Sequence, residues 1–103
     1  MNVILKEKQD MLHLLCEKYK VKQMYAFGSV NTPDFTEASD IDLLISFLPG
    51  ISAEEYADAY FMLHAELSRL FNRKIDLVTQ RSLSNPYFIA EIEKNKTLLY
   101  GES

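Results

Sequence analysis

Apolar residues recur along the chain with two alternating periods. From about Asn2 to Tyr19 they fall at Leu5, Met11, Leu12, Leu15 and Tyr19, with Lys and Glu between them, and this near-helical spacing predicts an amphipathic first helix. Val21 to Phe27 reads as a strand that runs into Gly28-Ser29, where a missing Cβ lets the backbone turn sharply or approach a ligand closely. Asn31-Thr32-Pro33-Asp34 is a loop by composition. Asp40 to Phe47, rich in Ile and Leu, reads as a second strand ended by Pro49-Gly50.

Ser52 and Glu55 form a capping box ahead of a long helix that runs to about Phe71, with Met62, Ala65, Leu67 and Leu70 on its buried side. Lys74 to Thr79 is a short third strand. Asn85 is placed to cap a further helix with Pro86 at its first position, continuing through Tyr87 to about Glu93. Thr97 to Tyr100 is an optional last strand. The order is therefore α-β-β-α-β-α(-β), an α/β (α+β) arrangement. The first two strands, joined by a loop, are expected to be antiparallel, and the helix between the second and third predicts a parallel crossover. The expected fold is a small mixed β-sheet flanked by helices.

Composition narrows the class. The chain has 103 residues, 48% of them hydrophobic and 25% charged, which fits one globular domain over residues 1–103. No apolar run reaches the ~18 residues of a membrane span and the N-terminal stretch is charged, so a cytoplasmic protein is expected. The lone Cys16 supports neither an internal disulfide nor a zinc framework and is expected on the apolar face of the first helix. His13 and His64 have no ligand spacing and are read as ordinary helix residues.

The formal net charge is −4, and its distribution says more than its sum. Between Gln23 and Ser68 there is no Lys or Arg, while the interval holds Asp34, Glu37, Asp40, Asp42, Glu54, Glu55, Asp58 and Glu66. Such a block disfavours direct nucleic-acid binding. The second helix absorbs Glu54, Glu55, Asp58 and Glu66 as a solvated face. Asp40 and Asp42 need another explanation.

Residues two apart on a strand share a face, so Asp40 and Asp42 would present two carboxylates together. Two like charges held close repel, and a divalent cation between them turns the arrangement favourable. Hard oxygen ligands suit Mg²⁺ or Mn²⁺. Asp76, between apolar Ile75 and Leu77, can join them if the third strand lies beside the second. Three carboxylates can hold two metal ions that clamp the attacking and leaving oxygens of a phosphoryl displacement. Gly28 and Ser29 would supply backbone N–H groups and a hydroxyl to the pyrophosphate part of a nucleoside triphosphate.

The stretch Tyr25-Ala26-Phe27-Gly28-Ser29, the ten-residue interval, Ser39-Asp40-Ile41-Asp42-Leu43 and Lys74-Ile75-Asp76-Leu77-Val78 together closely resemble the minimal nucleotidyltransferases of the polymerase-β-like superfamily. The resemblance covers about Met1 to Tyr100. It implies two Mg²⁺ ions and a nucleoside triphosphate, most often ATP, with Asp40, Asp42 and Asp76 as catalytic metal ligands and Gly28, Ser29 and Ser39 as nucleotide-binding residues. Stand-alone members are commonly antitoxins working with a helical HEPN ribonuclease toxin, and some transfer AMP to a tyrosine hydroxyl of that toxin. Homo- or hetero-oligomers fit such a role. One departure matters: many relatives place an Arg directly after the Gly-Ser pair, where this chain has Val30. Arg69, Arg73, Lys74 and Arg81 are the candidates to supply the missing positive charge.

Two readings follow. In the first the chain is a Mg²⁺-dependent enzyme that moves AMP from ATP onto a partner protein. In the second it is a non-catalytic module that neutralises a toxin by direct complex formation, its anionic block meeting a basic face. Members of the resembled family that transfer to a small molecule carry an additional helical domain, for which 103 residues leave no room, and a polymerase role would need a basic channel.

Overall fold

In the structure, a computed structural model that describes residues 2–102, the elements run α1 (Val3–Glu7), α2 (Gln9–Lys18), β1 (Val21–Phe27), β2 (Ile41–Phe47), α3 (Ala53–Phe71), β3 (Ile75–Thr79), α4 (Pro86–Asn95) and β4 (Thr97–Tyr100). Short 3₁₀ turns cover Gly28–Asn31 and Gln80–Ser82. The four strands form one mixed sheet in the order β3-β2-β1-β4. As expected, β1 and β2 pair antiparallel and β2 and β3 pair parallel, and the optional last strand is real, pairing antiparallel with β1. No helix among the described residues is long and apolar enough to cross a membrane.

Strand alternation sorts the side chains onto two faces. Met24, Ala26, Ile41, Leu43, Ile45, Ile75, Leu77 and Leu99 belong to the larger core, together with Leu5, Leu12, Leu15, Cys16, Leu63, Leu67 and Phe71 of α1–α3. Tyr25, Phe27 and Leu44 point to the opposite face and pack with Ile92 of α4. Cys16 sits in the larger core as expected, and burial pushes its thiol up to about 12. It is an inert core side chain.

The structure corrects the helix readings in three places. The first helix is broken at Lys8 into α1 and α2, although no Gly or Pro stands there. The break follows an anchor: Asn2 caps α1 through Ile4 N (2.8 Å) and donates to Val30 O (3.3 Å), so α1 is tied to the turn after β1 while α2 follows the sheet. Met11 is exposed, leaving Leu12, Leu15 and Cys16 as the buried stripe of α2. In α3 the buried residues are Leu63, Leu67 and Phe71, with Leu70 partly covered, while Met62 and Ala65 face outwards. The sheet takes the larger side chains at strict i, i+4 spacing over the alternative stripe. Of the capping box, Ser52 accepts from Glu55 N at 3.1 Å, and α4 runs two residues past the expected Glu93.

Both histidines have a structural task that their spacing did not reveal. On the β3 edge, the outward carbonyls of Ile75, Leu77 and Thr79 accept from His64 Nε2 (2.9 Å), Tyr60 OH (2.6 Å) and Ser82 Oγ (2.8 Å). On the β4 edge, His13 Nε2 donates to Leu99 O at 3.0 Å. Edge carbonyls occupied in this way are closed to pairing with another strand. His13→Ala and His64→Ala should each cost about 1 kcal/mol in urea unfolding, since each leaves a carbonyl without its donor. Because they stand on opposite edges, the two losses should add in the double variant.

Candidate active site

The candidate residues meet where β1 ends and β2 and β3 begin. Asp42 is in register with Phe27 on one side and with Asp76 on the other. Asp42 and Asp76 therefore lie side by side on the α4 face of the sheet, and parallel pairing rather than sequence proximity makes them neighbours. Asp40 falls just before β2 instead of on it. It is positioned by the loop, and its Oδ2 lies 3.8 Å from Lys74 Nζ.

Gly28 is required twice over. Its φ of +74° is in the left-handed region, and a Cβ built there would collide with Asp42 Oδ2. The turn backbone is thus laid directly against the Asp42 carboxylate. The turn is held from below: Thr32 N and Oγ1 both donate to Ser29 O, at 3.0 and 2.9 Å. Asn31 Nδ2 donates to Ala26 O (2.9 Å) and Asn95 O (2.7 Å), tying the turn to β1 and to the end of α4. Asn31 was legible only as a loop residue, because its partners are distant in sequence. Val30 is 2% exposed and belongs to the larger core, so the position after the Gly-Ser pair points away from the carboxylates.

Ser39, expected near the nucleotide, has its hydroxyl engaged inside its own loop, where it accepts from Thr36 N at 3.0 Å. The four candidate cations separate by position. Lys74 stands at the carboxylates. Arg73 is occupied with the loop, Arg81 lies over the Tyr56 ring near the far end of β3, and Arg69 is exposed on α3. Two clefts lie away from the carboxylates, along the C-terminal halves of β2 and β3 beside Ser46, Gly50 and Gln80, while Asp76 itself is exposed. The carboxylate site is an open shelf.

Burial and charge divide the carboxylates. Asp42 is half-buried between Phe27 and the Gly28 turn, whereas Asp76 is exposed. Burial, then the charges of Asp76 and Asp40 and a hydrogen bond with Asp76, push the Asp42 carboxyl from its ordinary 3.8 up to about 6. A cation held by these oxygens would remove the like-charge part of that cost, and the donor set of hard oxygens suits Mg²⁺. As they stand, no three His, Cys, Asp or Glu side chains among the described residues are gathered closely enough to hold a metal ion. Asp42 and Asp76 are the close pair, and Asp40 leans on Lys74.

Residues 9–103 match the family described as "Polymerase beta, Nucleotidyltransferase". Among curated proteins, the chain is 42% identical over 81 residues to "Putative protein adenylyltransferase MJ0126" of Methanocaldococcus jannaschii, covering 79% of each chain. It is 40% identical over 82 residues to "Putative protein adenylyltransferase MJ1217" of the same organism, covering 80% of each. A solved structure of a "putative minimal nucleotidyltransferase" superposes with a TM-score of 0.70 at 26% identity over 90% of both chains. The fold is shared with the complex of a tri-AMPylated Shewanella oneidensis HEPN toxin with its MNT antitoxin, at a TM-score of 0.67, 20% identity, 95% coverage of this chain and 73% of that one.

The folded chain takes up the Asp42 proton near pH 6 and the unfolded chain near 3.8, so this group's contribution to stability is lost as pH rises through that window. Without divalent cations, Asp42→Asn should raise stability near neutral pH by about 1–2 kcal/mol after allowance for solvent screening. It should also flatten the difference in urea midpoints between acidic and neutral solution. Gly28→Ala should do the opposite, costing about 2 kcal/mol or more through its backbone strain and its collision with Asp42. Calorimetric melting of the two variants side by side would check both signs.

Proposed function

The chain belongs to the polymerase beta nucleotidyltransferase family, and from that premise we propose that it is a Mg²⁺-dependent adenylyltransferase acting on a hydroxyl of a partner protein. The observation that carries this reading is the pairing of Asp42 with Asp76 across β2 and β3 beneath the Gly28 turn. Asp40, Asp42 and Asp76 would hold the metal ions, which when bound would neutralise the triphosphate and polarise its α-phosphate.

The remaining work falls to the chain itself. Gly28, whose backbone lies against Asp42, and Ser29 would offer backbone N–H groups and a hydroxyl to orient the leaving pyrophosphate. Lys74, the cation at the site, swings from Asp40 toward the phosphates and supplies the charge that Val30 does not. Asp76, the exposed carboxylate, faces the incoming acceptor and takes its hydroxyl proton. The acceptor oxygen bonds to the α-phosphorus as the bond to pyrophosphate breaks. The open shelf suits a protein acceptor, since a macromolecule can complete the walls that the site lacks. The named activity of the M. jannaschii relatives supports transfer of AMP, and the HEPN–MNT complex of the same fold supports a HEPN toxin as the acceptor; a tyrosine hydroxyl as the acceptor group rests on the family resemblance alone.

Incubation of the protein with Mg²⁺, labelled ATP and a HEPN protein encoded beside it should label that protein. Asp42→Asn should abolish labelling while the domain stays folded. Lys74→Met should raise the KM for ATP by roughly tenfold, the scale of one charge-assisted contact. Wild-type protein that neutralises the toxin with no labelling, together with an Asp40→Asn, Asp42→Asn double variant that still neutralises it, would establish the binding module instead.

A further inference from the structure

The segment that carries Asp40 is tied down by a side chain for which the transfer chemistry has no use. Asn72, at φ +50°, ends α3 in a left-handed cap and turns the chain toward the end of the sheet. Arg73 follows it. Its guanidinium lies over the Phe35 ring, 4.7 Å from the centroid, and Nη1 donates to Ser39 O at 2.9 Å and to Thr36 O at 3.2 Å. Phe35 in turn packs on the larger core. A residue of α3's exit thus fastens the loop between β1 and β2 to the body of the protein.

The next residue holds the other side of Asp40. Lys74 O accepts from Ile41 N at 3.1 Å, which aligns the first residue of β2 with β3. Asp40 is therefore bracketed, with the Ser39 carbonyl fixed by Arg73 and the Ile41 amide fixed by Lys74. Residues 36–38 between Phe35 and this bracket are exposed, and their order rests on the Thr36–Ser39 turn and on Arg73. The planar guanidinium lies on the Phe35 ring while its Nη1 reaches both carbonyls, and a strongly hydrated, flexible Lys ammonium reproduces that combined geometry poorly.

We infer that Arg73 is a positioning residue for Asp40, holding the 36–39 turn so that this carboxylate stays beside the Asp42–Asp76 pair, within reach of a divalent cation that would draw the three together. Its effects on metal binding and on AMP transfer rest on the function proposed above, while the clamp itself does not. The assignment separates two adjacent basic residues that look equivalent in sequence. Arg73 is committed to carbonyls and a ring, and Lys74 is free to exchange Asp40 for phosphate.

The test compares wild-type protein with Arg73→Met and Arg73→Lys in three measurements: calorimetric titration with Mn²⁺ alone, amide hydrogen exchange, and labelling with ATP at varied Mg²⁺. Arg73→Met should weaken Mn²⁺ binding about tenfold or more, the usual scale for removing a group that orients a metal ligand. Exchange should quicken at Ser39, Asp40 and Ile41 while the middle of β1 is unchanged. Transfer should fall at low Mg²⁺ and recover partly at high Mg²⁺, and Arg73→Lys should rescue none of the three. Unchanged Mn²⁺ affinity and unchanged exchange in Arg73→Met would overturn the inference, as would wild-type protein that binds no Mn²⁺ or a full rescue by Lys. If Arg73→Met does not fold, Arg73→Lys decides by the same readouts. Wild-type protein that binds Mn²⁺ but labels nothing would count against the transfer reaction and leave the clamp to be judged on binding and exchange.

Discussion

Parallel pairing of β2 with β3 places Asp42 directly beside Asp76, and this contact between like charges constrains everything around it. It is unfavourable when both groups are ionised, and it adds to burial, the larger cause, in raising the Asp42 carboxyl. The strands accept it because their alternate residues Ile41, Leu43, Ile45, Ile75 and Leu77 are buried on the opposite face in the larger core. A slip of one residue in either strand would exchange the faces, burying a carboxylate and exposing Ile or Leu. The apolar side of the sheet therefore sets the register, and the register sets the site. Charge repulsion at one pair is small against the burial of five large side chains.

The turn and the loop that border the pair are built to leave no slack. Gly28 lets the backbone rest on the Asp42 carboxylate, and Asn31 and Thr32 hold the turn from behind. On the other side Arg73 and Lys74 bracket Asp40. The same economy governs the margins of the sheet, where His13, Tyr60, His64 and Ser82 occupy outward carbonyls on both edge strands. Edges whose carbonyls are occupied in this way cannot pair indiscriminately with a strand of another chain.

Much of this was legible from residue order because it rests on local periodicity. The strand at Val21–Phe27, the Ser52 cap, Asn85 with Pro86, and the alternation around Asp42 and Asp76 all follow from neighbours within a few positions. What was misread has a common cause. The α3 stripe of Met62 and Ala65 and the continuous first helix were each consistent with helical spacing, and the choice among consistent options was made by the sheet and by the Asn2 anchor. Ser39 is a separate matter: its expected place near the nucleotide rests on its position next to Asp40, and in the structure its hydroxyl accepts from Thr36 N within the four-residue turn 36–39.

Residue order alone determined most of the elements, the two-faced strands, the candidate carboxylates Asp40, Asp42 and Asp76 with their glycine turn, and the family to which the chain belongs. Those properties are carried by spacing, and spacing is visible in a string. The tertiary structure decided which carboxylates touch, which of Arg73 and Lys74 faces the site, why Val30 is a core residue, and what the two histidines do. Each of these depends on contacts between segments separated by about ten to ninety residues, where the partner is chosen by packing and hydrogen-bond geometry rather than by anything in the neighbouring sequence.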